Sequence, residues 1–189
     1  MIDQPSMRPT AGANRQFEAW TRRAFAYGLA LLVFASDRGI KALLLGPVGL
    51  DRTESVPLLP IFALRYTQNF GVSLGLFTAT TAHMRLILIG VTSAIAIGVA
   101  AWLIVERRRA DIIGLSLVLG GALGNIFDRT VYGFVIDYAD FHIGQWRPFL
   151  IFNFADAAIT IGVLILLARS LLSGEKPAND RAIPPTENT

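Results

Sequence analysis

The sequence predicts an all-α membrane protein with four transmembrane helices, a small extracytoplasmic β element and a short helix or loop beside it. Two observations carry that prediction. Of the 189 residues, 53% are hydrophobic and only 16% charged, where an ordinary soluble domain carries about 25%. The apolar residues also gather into four long runs, each near the roughly 20 residues a helix needs to cross a bilayer. A single such run would suit a soluble core helix equally well. Four in one short chain leave too little polar surface for water.

Taken in order, residues 1–20 are mostly polar and carry Pro5, Pro9 and Gly12, the composition of a disordered tail. The first apolar run covers 24–45. The connection 46–83 contains Phe62, Ala63, Leu64, Arg65, Tyr66 and Thr67, a short apolar/polar alternation expected to form strand. Asn69, Phe70 and Gly71 then signal a turn. The second run, 84–105, holds only one charge, Arg85, at its start. A tight basic loop, Glu106 to Arg109, leads to a third run at 112–127, where Gly120, Gly121 and Gly124 allow close helix approach. After a connection at 128–148, the fourth run covers 149–172. A Pro-containing polar tail, 173–189, is expected to be disordered. Residues 21–172 thus form one domain.

Lysine and arginine placement orients the spans. Arg22 and Arg23, the arginines at 107–109, and Arg169 with Lys176 and Arg181 all fall at one end. That end is expected to be cytoplasmic, with both termini there and the two longer connections outside. The same distribution accounts for the net charge of +3 without a nucleic-acid partner. With no cysteine, disulfides and thiolate chemistry are excluded. Two histidines, His83 and His142, provide no His-rich metal site.

The acidic residues are placed unevenly. Asp37 lies near the outer end of the first run, Asp128 at the outer end of the third, Asp137 and Asp140 in the following connection, and Asp156 about two turns into the fourth run. All five converge on the outer leaflet. A carboxylate buried in a span costs about 2.5–3.5 kcal/mol on insertion scales. Pairing of Asp156 with Arg129 or Lys41 would be one reason to bear that cost; chemistry is another. Two carboxylates held together share a proton, so one can activate water while the other donates to a carbonyl oxygen. The sequence pattern leaves Asp128, Asp137 and Asp140 open as partners for Asp156. Asn125 and Asn153 each precede an aspartate by three residues, one helical turn away, and their amides can orient it. Proton or ion conduction would also suit intramembrane acids, but no charged residue continues the path inward. An assembly role or a metal-dependent hydrolase also fits paired carboxylates.

These residues resemble the lipoprotein signal peptidase (signal peptidase II) family. The resemblance rests on Gly120 to Arg129, on Val135 to Tyr138, on Phe152 to Asp156, on Asn69 to Ser73, and on Asp37 to Lys41, in family order from residue 24 to 172. It implies a catalytic pair, Asp137 and Asp156. It further implies supporting or substrate-binding positions at Asp37, Lys41, Asn69, Gly71, Asn125, Asp128, Arg129, Asn153 and Ala155, with Asp128 anchored to Arg129. The sequence departs from the family pattern at Arg38, Ile40 and Leu74. The function implied is an aspartic endopeptidase of the bacterial inner membrane, its site toward the periplasm. It would cleave diacylglyceryl-modified prolipoproteins just before the lipidated cysteine, with no cofactor or metal. The resemblance fits a monomer among membrane lipids, with substrate acyl chains expected against Leu115, Leu119 and Ile159.

Overall fold

A computed structural model describes residues 11–72, 77–78 and 82–172. Its order is α1 (Ala11–Leu45), a 3-10 turn (Leu50–Arg52), β1 (Val56–Leu59), β2 (Phe62–Asn69), β3 (Gly71–Val72), β4 (Phe77–Thr78), α2 (Ala82–Val105), α3 (Arg109–Val131), β5 (Val135–Phe141) and α4 (Phe154–Leu172). Among the described residues, three helices are long and apolar enough to cross a membrane: His83–Val105, Arg109–Val131 and Phe154–Leu172. The 35 residues of α1 exceed the length needed, but Asp37, Arg38 and Lys41 interrupt its apolar run.

α3 is the hub, packed against α1, α2 and α4. Its glycines make this possible. A Cβ on Gly120 would stand 2.5 Å from the Ala30 carbonyl oxygen of α1. Gly114 of α3 and Gly162 of α4 meet in the same way, each backbone close against the other. The bundle core comprises Ala26, Ala30, Ala96, Leu103, Ile112, Leu115 and Leu119. Leu115 and Leu119 therefore pack against other helices and cannot line an acyl-chain path, contrary to the expectation from sequence.

Several boundaries also move. α1 begins at Ala11, so the expected disordered tail is helical over its second half; residues 1–10 and 173–189 lie outside the described residues. α4 begins at Phe154 rather than near residue 149, because Phe152 is still extended and bridges Ala139 of β5. Asp156 thus sits in the first turn of α4, not two turns in. Asp128 lies within the last turn of α3, which runs on to Val131.

The alternation at Phe62 to Thr67 does form strand, as the centre of an antiparallel sheet ordered β1-β2-β5. β5 was expected to be helix or loop. Its Val-Ile-Asp-Tyr-Ala-Asp-Phe sequence is rich in strand-forming residues and pairs with β2, with Thr67 opposite Asp137 and Ala63 opposite Asp140. A small apolar cluster of Leu50, Tyr138 and Ala139, flanked by Ile40, Leu44 and Phe152, seats this sheet against the end of α1. The sheet therefore covers the bundle end where α1 and α3 finish and α4 starts.

Candidate active site

Carboxylates gather where the sheet meets the helix ends, in two layers. The deeper layer is an ion cluster. Lys41 Nζ donates to Asp37 Oδ2 at 2.8 Å and to Asp128 Oδ2 at 2.7 Å, and all three side chains are fully buried. Lys41 lies one turn after Asp37, the spacing at which helix side chains meet. The other Asp128 oxygen pairs with Arg38. Arg38 also donates to the Tyr132 hydroxyl at 3.2 Å and stacks 4.3 Å above the Phe127 ring. Asp128 is thus anchored by Lys41 and Arg38; Arg129 makes no ion pair with it among the described residues. The departure from the family pattern at position 38 supplies the second cation of this cluster.

The cluster reaches the upper layer through the backbone. Asp128 Oδ2 accepts the Ile136 N–H at 3.2 Å, and Asp37 Oδ1 accepts the Ala155 N–H at 3.2 Å. Ile136 and Ala155 immediately precede Asp137 and Asp156. One lysine therefore sets the register of both backbones that carry the upper pair. Gly124 permits this: a Cβ there would stand 2.8 Å from Asp37 Oδ2 and 3.3 Å from the Ala155 Cβ.

In the upper layer, Asn153 precedes α4 and caps it. Its Oδ1 accepts the Asp156 N–H at 2.9 Å, while Asp156 Oδ2 accepts the Asn153 N–H at 3.2 Å. This reciprocal arrangement is a capping box, and it explains why Asn and Asp stand three residues apart. With its oxygen committed to the helix, Asn153 turns its amide nitrogen to Asp137 Oδ1 at 2.7 Å and to Asn125 Oδ1 at 3.3 Å. Asn125 in turn donates to Asp156 Oδ1 at 2.8 Å. Two amides thus bridge the carboxylates of Asp137 and Asp156. On the far side, Asn69 Nδ2 donates to Asp137 Oδ2 at 3.0 Å. The Gly71 N–H holds Asn69 Oδ1 at 3.1 Å and so fixes which way that amide faces.

Burial, and then the charge of Asp156, push the Asp137 carboxyl up to about 7. Two of its hydrogen bonds, from Asn69 and Asn153, oppose that rise. Arg129 has Asp156, Asp137 and Asp128 within electrostatic range, and its buried Nε has no hydrogen-bond partner among the described residues.

Asp140 goes elsewhere. Strand alternation sends positions 137 and 140 to opposite faces, and Asp140 pairs with Arg147 at 3.0 Å and with Arg65 at 3.6 Å. Tyr138, the last residue of the Val135 to Tyr138 motif, is buried and accepts the Phe154 N–H on its hydroxyl at 3.1 Å. Burial raises its phenol to about 12, so it stays protonated there. Ile40 joins the cluster under the sheet. Ser73 and Leu74 lie outside the described residues.

A multi-pass helical bundle with buried carboxylates assembled under a small sheet at one end defines a membrane-embedded enzyme. Comparison with known proteins makes the class specific. The family described as signal peptidase (SPase) II matches residues 29–172, and the chain belongs to it: it is a membrane protease of the lipoprotein signal peptidase family. The lipoprotein signal peptidase of Rhizorhabdus wittichii is 46% identical over 153 residues, 81% of this chain and 89% of that protein. That of Sphingopyxis alaskensis is 45% identical over 160 residues, 85% of this chain and 92% of that protein. A bacterial membrane enzyme solved by the in meso method at 2.3 Å shares the fold, with a TM-score of 0.70 at 23% identity, over 85% of this chain and 95% of that one.

Proposed function

We propose that this protein is an aspartic endopeptidase in which Asp137 and Asp156 jointly activate water to remove the signal peptide of diacylglyceryl-modified prolipoproteins. The observation that carries the reading is the amide-bridged carboxylate pair: Asp137 from a strand and Asp156 from a helix start, joined through Asn153 and Asn125. The pair titrates as a unit. Burial favours the proton on Asp137, while Asp156 sits at the positive end of the α4 dipole.

One carboxylate takes a proton from water as its oxygen attacks the carbonyl carbon preceding the lipidated cysteine. The protonated partner donates to the carbonyl oxygen. Collapse of the tetrahedral species breaks the C–N bond, and the cysteine amine leaves carrying a proton from the pair. Arg129, whose buried Nε lacks a partner among the described residues, is suited to hold a substrate main-chain carbonyl. Asp37, Lys41 and Asp128 fix the two backbones, Asn69 and Gly71 orient Asp137, and Ala155 leaves room for Gly124.

In this reading α1 is a fourth span. Both termini and the arginines at 107–109 face the cytoplasm, and the carboxylates open to the outer leaflet. Phe70, Tyr132, Phe141 and Trp146, exposed near the sheet, are placed to sit at the lipid boundary. The enzyme acts as a monomer among membrane lipids and uses no cofactor.

The test is cleavage of a lipid-modified prolipoprotein by purified protein in detergent. Asp156→Asn should lower turnover at least about 100-fold, the scale of a lost general acid or base, with helix content and unfolding temperature retained. Full turnover by that variant would refute the pair. Inhibition by chelators would point instead to a metal-dependent hydrolase.

A further inference from the structure

We propose that the bundle end remote from the carboxylates holds an anionic phospholipid in a groove between the start of α1 and the start of α3. The groove encloses about 710 Å³, within the roughly 300–1,000 Å³ of small-molecule sites. Arg22, Arg107 and Arg109 line it against one acid, Glu18. Phe25, Ile112 and Ile113 give it an apolar floor.

The arginine charge there is not spent inside the protein. Among the described residues none of the three forms an ion pair, and the buried Arg22 Nε has no hydrogen-bond partner. Nearby acids are committed elsewhere. Glu106 accepts the Arg107 and Arg108 N–H groups at 2.8 and 2.9 Å, and Asp111 pairs with Arg169 at 3.1 Å. The α3 N-terminus at Arg108 has no side-chain cap, so its dipole adds to the positive field.

The site lies where the α2 span ends and the α3 span begins, at the level of lipid headgroups. A phosphodiester would sit among the arginines with its acyl chain along Phe25 and the isoleucines; basic pockets between spans take anionic headgroups in this way. Free phosphate has no use for the apolar floor. A zwitterionic lipid brings an ammonium that the basic rim repels. From Arg109 to Asp128 the helix rises about 28 Å, so this site stands apart from the carboxylates and does not depend on their chemistry.

Native mass spectrometry of the full chain in detergent tests it, with phosphatidylglycerol, phosphatidylcholine and inorganic phosphate as probes. One phosphatidylglycerol should be retained per protein, at least tenfold more tightly than phosphatidylcholine, and millimolar phosphate should not displace it. The triple variant Arg22→Gln, Arg107→Gln, Arg109→Gln should lose that preference while prolipoprotein cleavage continues. If the triple variant does not fold, Glu18→Gln alone should tighten phosphatidylglycerol binding severalfold. Equal retention of the two lipids, displacement by phosphate, or no change in Glu18→Gln would overturn the proposal.

Discussion

Replacing Lys41 by methionine isolates the ion cluster from the rest of the fold. Methionine nearly fills the lysine volume, so little cavity forms. What is lost is the one ammonium that reaches both Asp37 at 2.8 Å and Asp128 at 2.7 Å, with no solvent access to any of the three side chains. Removing one partner of a buried pair costs about 3–5 kcal/mol, because the remaining charge is left uncompensated. Asp128 keeps Arg38; among the described residues, Asp37 keeps only the Ala155 N–H. The loss should therefore fall mainly on Asp37, and Asp37→Asn in the same chain should recover at least half of it. For a chain of this size, 3–5 kcal/mol corresponds to a fall in Tm of roughly 6–20 °C, readable by circular dichroism in detergent. A single variant within about 1 kcal/mol of the parent, or a double variant no better than the single, would show that Lys41 does not hold this cluster together.

Asp137 makes a pH prediction. Its carboxyl lies at about 7 in the folded protein against an ordinary value of 3.8, so the native state binds its proton more tightly than the unfolded chain. This contribution to stability is fully present below about pH 4 and is lost as pH rises through 7. Cleavage should likewise decline above pH 7 as the pair loses its shared proton, and Asp137→Asn should flatten the stability profile; a cleavage rate climbing steadily from pH 6 to 9 would contradict this. Asn153→Thr keeps a side-chain oxygen to cap α4 but removes the amide bridging Asp137 and Asn125. The retained oxygen should keep α4 capped, loss of the donor to the buried Asp137 and Asn125 should cost about 1–3 kcal/mol, and turnover should collapse; unimpaired cleavage would show that the bridge is dispensable.

Much of this protein follows from the order of its residues alone. Hydrophobic run length marks three spans and the apolar stretch of α1, because the bilayer sets a minimum length that the chain itself must meet. The basic turn at Glu106 to Arg109, the strand at Phe62 to Thr67, the close-packing glycines of α3 and the family are legible for the same reason: each rests on local pattern or short motifs. Tertiary structure decided what depends on distant partners. Whether residues 149–153 are helical turned on Phe152 bridging Ala139 of β5, and β5 exists as a strand because β2 offers it an edge. Asp128 and Asp140 differ from Asp137 through Lys41 and Arg38 in one case and Arg147 and Arg65 in the other. No spacing rule joins residues 87 to 118 positions apart, as the bonds from Lys41 to Asp128 and from Ala155 to Asp37 are. A charge among carboxylates chooses its partner by distance in space, and only the packed bundle sets that distance.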